Sequence, residues 1–173
     1  VNSNNMKFII KNYLLILIIL IAFSMPFFHL SQSPPALNWD EVALGYNAYS
    51  LSQTVRDEFG KFLPLTLRSF DDHKGAIYSY LTIPFVFIFG LNEISVRLLS
   101  VLAGTATVYL AYLFSQQFFA NKNISLLAAL ITALSPWSIL FSRAAYEANL
   151  ALSLYLSAVY LLLKHRSSRF QNI

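Results

Sequence analysis

Long apolar segments are the feature that most constrains how this chain can fold. Runs of this kind cover residues 97–119, 124–142 and 144–163, and another covers about residues 8–30. Each run approaches the roughly 20 residues that a helix needs to cross a bilayer. Charged residues make up only 12% of the chain, against roughly 25% in typical soluble domains. The sequence therefore predicts one all-α membrane domain over residues 1–173, with four transmembrane helices and a kink in the third at Ser135-Pro136.

Basic residues lie at the ends of these runs and set the expected topology. Lys7 and Lys11 precede the first run, Lys122 separates the second from the third, and a basic cluster at 164–169 follows the last. Because cytoplasmic flanks of membrane helices are enriched in Lys and Arg, we place these residues and the N-terminus in the cytoplasm. This pattern also accounts for the net charge of +4 without a nucleic-acid partner. A cleaved signal peptide is the alternative for the first run, but apolar residues continue past the poor cleavage site at 22–24.

Residues 31–95 form the predicted extracytoplasmic loop between the first two spans. Apolar residues at helical spacing over 41–55 predict an amphipathic helix on the membrane surface. Residues 76–89 are apolar but short and contain Pro84, so they could form a short span or a second interfacial helix. Only the non-crossing arrangement keeps the later basic residues in the cytoplasm, which favours the interfacial helix. Residues 62–70 are predicted to be extended.

Two adjacent carboxylates, Asp40 and Glu41, stand where the first span gives way to the 41–55 helix. In a purely structural interpretation, Asp40 is the N-cap of that helix and Glu41 is an acid favoured by the helix dipole. In the functional interpretation, Asp40 is a general base within reach of an acceptor hydroxyl, and Glu41 supports it. Both interpretations place the pair at the membrane surface.

A polar group at Asp72, His73 and Lys74 is the second candidate for chemistry. It could be a solvated turn. Lys74 could instead hold an anionic lipid headgroup, and His73 with Asp72 or Glu41 could ligate a divalent metal, although the ligand spacing gives that idea weak support. The chain has no cysteine, so thiolate sites and disulfides are excluded.

Arg97 and Arg143 each lie at the outer end of a predicted span. Ordinary i,i+4 ion pairs, with Glu93 and Glu147 respectively, would account for both. Ionisable residues at the membrane are also functional candidates, and guanidinium groups suit bidentate phosphate binding. Together with Lys74 they would then form a cationic ring around a phosphate at the interface.

A series of short motifs follows the first apolar run in a definite order. They are Asn38-Trp39-Asp40-Glu41, Gly45-Tyr46, Asp72-His73-Lys74-Gly75, Val96-Arg97-Leu98, Ser135-Pro136 and Arg143-Ala144-Ala145. Each motif alone is weak, but their order and spacing extend over about residues 8–164. In this the chain resembles the N-terminal part of the protein O-mannosyltransferase and aminoarabinose-transferase-like group, membrane glycosyltransferases of the GT-C type.

The resemblance implies a fold, a donor and a set of residue roles. Family members have two juxtamembrane helices in the first outer loop and use a polyprenyl-phosphate-linked sugar as donor. The acidic pair supplies the catalytic carboxylate, which maps to Asp40, and the family's lysine and arginine map to Lys74 and Arg97. Glu147 is the nearest match to a further acid. Where family members have prolines after the lysine, this chain has Gly75 and Ala76.

We therefore expect an inverting hexosyl or pentosyl transfer from a polyprenyl-phosphate sugar, with the acceptor (protein, lipid or glycan) left open. The alternative is a non-catalytic membrane subunit or lipid-phosphate-binding protein on the same scaffold. A transporter is disfavoured because the charges cluster outside the bilayer. Family members are several times longer, so we expect this chain to be an N-terminal fragment that is inactive alone. Its expected location is a bacterial or archaeal plasma membrane.

Overall fold

The computed structural model describes residues 3–69 and 72–170, and side chains within 12–69 and 72–165. Within these ranges the chain is mostly helical, as predicted, with seven helices and one short hairpin. In chain order the elements are α1 (Ser3–Phe27), α2 (Trp39–Thr54), β1 (Thr66–Ser69), β2 (Asp72–Gly75), α3 (Ile77–Phe89), α4 (Glu93–Phe119), α5 (Lys122–Leu134), α6 (Pro136–Ser142) and α7 (Glu147–Phe170). The antiparallel β1–β2 pairing adds a hairpin where the sequence predicted an extended segment and a polar turn.

Helix α4 is the central element, packed against α1, α3, α5, α6 and α7. It is the one helix in the described part of the chain that is long and apolar enough by itself to cross a membrane. Helices α5 and α6 pass the same test as a single broken span, bent by 58°. The bend at Ser135-Pro136 confirms the predicted kink, because proline cannot donate to the preceding turn. One or two candidate spans are thus found where the sequence predicted four.

The start of α2 differs from its prediction by two residues, and the difference reassigns the cap. Asn38 is the N-cap: its side chain accepts from the Glu41 backbone N–H, and the Glu41 carboxylate accepts from the Asn38 N–H. This reciprocal capping box satisfies two of the N–H groups left over at a helix start. The prediction that Asp40 is the N-cap was therefore wrong, because Asp40 lies inside the first turn.

Apolar packing fixes α2 against the start of α4. Leu44, Tyr78, Val96 and Leu150 belong to a buried cluster that joins α2, α3, α4 and α7. A Cβ placed on Gly45 would lie 2.5 Å from Cγ2 of Val96, so only glycine permits this close approach. Helix α3 has 13 residues, fewer than a straight span needs, in keeping with its non-crossing assignment. The interfacial location of α2 and α3 remains a prediction.

Candidate functional site

Glu41 lies at the buried side of the α2 N-terminus and is 1% exposed. Its Oε1 accepts from Arg97 Nε at 2.8 Å and from the Ala145 N–H at 2.8 Å. Its Oε2 accepts from the Asn38 N–H at 3.0 Å and from Arg97 Nη2 at 3.1 Å. Burial raises the pKa of Glu41, but the hydrogen bonds and the charge of Arg97 outweigh burial and hold the pKa below its ordinary value. Glu41 therefore acts as a structural anion joining α2, α4 and the α6–α7 turn.

Arg97 completes this buried pair and is 0% exposed. Its Nη1 donates to the carbonyls of Leu30 at 2.8 Å and Pro34 at 2.9 Å, and Nη2 also donates to Ala36 at 2.8 Å. With the two bonds to Glu41, all five guanidinium N–H groups are used. Arg97 has none left for a phosphate in this arrangement, so its predicted phosphate-binding role has no support from the geometry. Its ion partner is Glu41, not the predicted Glu93.

Arg143 follows α6 and holds the same stretch of chain from a second side. Its Nε donates to the Ser33 carbonyl at 3.0 Å, while Nη1 and Nη2 donate to Met25 and His29 at 3.2 Å each. The predicted i,i+4 ion pair with Glu147 does not form between these described residues. Together the two arginines bind six carbonyls of residues 25–36, so this loop after α1 is fixed before the chain reaches Asp40.

Asp40, the neighbour of Glu41, points the other way. Its Oδ1 lies 2.7 Å from Nζ of Lys74, and the exposed fractions of the two side chains are 53% and 11% respectively. Lys74 reaches α2 because the hairpin register pairs it with buried Leu67, which places both side chains on the face turned toward α2. The structure thus brings together the carboxylate and the lysine that the sequence singled out, and leaves the carboxylate open to solvent.

Glu147 begins α7 on the far side of the hairpin. A Cβ on Gly75 would lie 3.7 Å from Glu147 Oε1, and Lys74 and Asp40 are close enough to act on Glu147 electrostatically. Oε1 is buried and has no hydrogen-bond partner among the described residues. The predicted supporting acid therefore lies beside the Asp40–Lys74 pair.

Asp72 and His73 lie on the exposed part of β2. The Asp72 carboxylate accepts from the His73 N–H at 2.7 Å, and His73 Nδ1 lies 3.1 Å from the Asp72 carbonyl oxygen. Within residues 12–69 and 72–165, no group of three His, Asp or Glu side chains is arranged to hold a metal ion. The metal hypothesis for His73 consequently finds no ligand set in this part of the chain.

The sequence reasoning missed the Glu41–Arg97 pair, whose members are 56 residues apart. A usable signal was present, because a buried charge in an apolar chain requires an opposite partner. The bond from the Ala145 N–H left no signal, since any residue except proline could supply it.

Sequence comparison identifies a family for this chain. The family model described as dolichyl-phosphate-mannose-protein mannosyltransferase matches residues 16–172. No curated protein and no solved structure gives a significant match. Since the family match covers nearly the whole sequence, the chain belongs to the dolichyl-phosphate-mannose-protein mannosyltransferase family, a family of membrane-embedded glycosyltransferases.

Proposed function

We propose that this chain carries the catalytic base of a glycosyltransferase. The enzyme moves a sugar from a polyprenyl-phosphate donor to an acceptor hydroxyl at the extracytoplasmic membrane face. The observation that supports this most is the exposed Asp40 carboxylate, 2.7 Å from Lys74 and adjacent to a saturated buried Glu41. Family membership supplies the reaction class, and Asp40 is a carboxylate of the site that a substrate can reach.

The mechanism is a single displacement. Asp40 accepts the proton of the acceptor hydroxyl while the hydroxyl oxygen attacks the anomeric carbon. The bond from that carbon to the phosphate oxygen breaks, the polyprenyl phosphate leaves with the bonding electrons, and the anomeric centre inverts. Lys74 has a flexible stem, so its ammonium can turn from Asp40 to the leaving phosphate, where negative charge grows in the transition state.

The two arginines have a different role in this proposal from the one their sequence positions suggested. Arg97 and Arg143 bond carbonyls of the loop after α1 and position α2. Lys74 is then the residue that faces the donor phosphate, and Glu147, whose Oε1 has no hydrogen-bond partner among the described residues, lies beside it. Glu41 touches no substrate and is a positioning residue for Asp40.

The four-span topology belongs to the same proposal. With α1, α4, the bent α5–α6 pair and α7 crossing the membrane, Asp40, Lys74 and Glu147 share the extracytoplasmic side and the basic residues share the cytoplasmic side. The short α3 supports this assignment. Cysteine labelling at residue 91 tests it: modification by an impermeant reagent from outside is expected, and modification from the cytoplasm would contradict it.

The decisive experiment compares Asp40→Asn with Glu93→Gln, a carboxylate outside the site. Membranes from cells that express the chain within its longest reading frame receive a labelled polyprenyl-phosphate-mannose and a threonine peptide. Asp40→Asn should lower transfer by about 10²–10⁴-fold, the range for loss of a general base, and leave donor binding within about twofold. Unchanged transfer would remove Asp40 from the mechanism. Donor binding without transfer by the wild type would favour the lipid-phosphate-binding alternative.

A further inference from the structure

We propose that a groove beside α2 is the acceptor subsite, and that it binds the polypeptide flanking the reacting hydroxyl on an aromatic surface made by Trp39, Tyr46 and Phe59. The groove has a volume of about 330 Å³ and is also lined by Val42, Glu58 and Ser69. This inference rests on the proposed role of Asp40, and it adds a location and a recognition chemistry for the second substrate.

The two walls of the groove are fixed to one another. Asn47 of α2 is fully buried; its Nδ2 donates to Glu58 Oε1 at 2.9 Å, and its Oδ1 accepts from the Glu58 N–H at 3.1 Å. Asp57 Oδ1 accepts from the backbone N–H groups of Phe59 and Lys61 at 3.0 and 2.8 Å. The turn that carries Phe59 is therefore held against α2 in advance, which lowers the entropy lost when a ligand binds.

The hairpin register places the groove next to the proposed reaction centre. Leu67 opposes Lys74, the residue that contacts Asp40, and Ser69 opposes Asp72. Because alternate residues of a strand share a face, Ser69 lies on the same face about 7 Å further along. About two residues of an extended peptide would therefore separate the part bound in the groove from a hydroxyl placed at Asp40.

Lys74 separates this groove from a second cleft. That cleft has a volume of about 160 Å³, lies between α3 and α7, and is lined by Gly75, Ile77 and Leu150 among others. In the hairpin, Ser69 lines the groove, Lys74 contacts Asp40, and Gly75 lines the cleft together with Glu147. A displacement needs the attacking oxygen and the leaving phosphate on opposite sides of the anomeric carbon. The groove meets the Ser69–Asp72 end of the hairpin and the cleft meets the Thr66–Gly75 end, which suits that requirement.

The lining matches an uncharged extended peptide better than a lipid phosphate. Trp39, Phe59 and Tyr46 are 74%, 60% and 48% exposed, and such rings offer large contact areas at low conformational cost. Among the described residues no Lys or Arg lines the groove, so it offers a phosphate no cation to pair with. Arg68 lies 5.5 Å over the centre of the Phe59 ring and steadies it.

The test uses the fluorescence of Trp39 in the full chain, reconstituted in lipid nanodiscs. The chain has two tryptophans, so a Trp137→Phe background leaves Trp39 as the reporter. The probe is an uncharged, acetylated and amidated nonapeptide with a central threonine. We expect a saturable change in emission. Tyr46→Ala or Phe59→Ala should raise the dissociation constant about tenfold or more, as truncation of an aromatic hot spot does.

Tyr49→Ala is the matched control. Tyr49 is 42% exposed and its ring centroid lies 6.5 Å from that of Tyr46, but it does not line the groove. It should change peptide affinity less than about twofold. Equal losses for Tyr46→Ala and Tyr49→Ala, or no saturable peptide binding, would overturn the proposal. Because these aromatic side chains are partly exposed, thermal unfolding of each variant should match that of its parent.

Two competing occupants give distinct results. A change in Trp39 emission with geranylgeranyl phosphate and not with the peptide would assign the groove to an isoprenoid. Quenching of Trp39 by brominated acyl chains would place this face in the membrane. Either result would overturn the proposal. Asp40→Asn separates this inference from the proposed reaction. Peptide binding that depends on Tyr46 should persist in that variant, so retained transfer with retained binding would refute the base and leave the subsite standing.

Discussion

Asp40 and Glu41 are adjacent in sequence, each is ion-paired with a cation, and their surroundings are opposite. The Glu41–Arg97 pair is almost fully buried and every guanidinium donor is used. Asp40 pairs with Lys74 through one contact and remains 53% exposed. Successive residues on a helix point about 100° apart, so one side chain enters the bundle and the other faces outward.

The difference indicates that the Glu41–Arg97 pair serves the fold and that the Asp40–Lys74 pair is available for chemistry. A saturated, desolvated pair resists rearrangement, because any movement leaves a buried charge without its partner. A pair with one partner open to water, as Asp40 is here, is held less tightly and can exchange partners. The buried pair can therefore hold the helix start in place, and its neighbour remains free to give up Lys74 to a substrate.

Breaking the buried pair should have the largest effect. Glu41→Gln leaves Arg97 charged and uncompensated, which should lower the free energy of unfolding by about 3–5 kcal/mol. Denaturant titration in detergent, followed by circular dichroism, measures the loss. The double variant Glu41→Gln with Arg97→Met should lose less stability than the sum of the two single variants, because both charges are then gone while the carbonyls that Arg97 binds still lose their donors. A loss no larger than that of Asp40→Asn would contradict the contrast between the pairs.

The close approach of α2 and α4 is the next target. Gly45→Ala places a Cβ within 2.5 Å of Val96 Cγ2, one residue from Arg97. Overpacking of this kind should reduce stability by about 1–3 kcal/mol. Gly60→Ala serves as a control for a glycine with open space around it, although its left-handed φ of 83° adds strain of its own. A Val96→Ala partner change should recover stability only in the Gly45→Ala background.

Acid should weaken the buried pair selectively. In the folded chain, hydrogen bonds and the charge of Arg97 outweigh burial and hold the pKa of Glu41 below its ordinary value, so between the folded and unfolded pKa values the unfolded chain binds more protons. The stabilisation is complete above the unfolded pKa and is lost as pH falls through the folded pKa. Melting temperatures measured between about pH 5 and pH 3 should fall more steeply for the wild type than for Glu41→Gln. Parallel curves would contradict this.

The Asp40–Lys74 pair should contribute least to stability. Asp40→Asn should change the free energy of unfolding by less than about 1 kcal/mol, because the Asp40 carboxylate is 53% exposed. The same denaturant titration measures it, at low and at high salt. A loss above about 2 kcal/mol would mean that Asp40 is structural, and the division between the two acids would fail.

Much of the local structure was predictable from sequence, and the site only in part. Helices α2, α3 and α4 follow from apolar spacing, and Gly90 marks the end of α3 at Phe89, although α3 continues through Pro84. The proximity of Asp40 and Lys74 was expected, because the predicted topology puts both on the extracytoplasmic side and the family resemblance assigns both to one site. These features depend on residues close in sequence or on topology, which pattern reasoning can treat.

The remaining features depend on long-range geometry. Whether Arg97 faces a phosphate or three carbonyl and two carboxylate oxygens depends on where the loop after α1 lies, and carbonyl acceptors have no residue signature. The cap assignment failed because Asn38 and Asp40 are equally good cap residues, and only the reciprocal bond with Glu41 distinguishes them. The hairpin was missed because its strands have only four residues each.

The bond from the Ala145 N–H to Glu41 has a consequence for biosynthesis. Its partners are separated by 104 residues, which corresponds to roughly 5–20 s of translation at typical elongation rates. In the later part of that interval the nascent chain already contains Asp40, Glu41 and Lys74, but not the turn that completes the carboxylate's set of donors. The hydrogen bonds of Glu41 can therefore be complete only after α4, α5 and α6 have been synthesised.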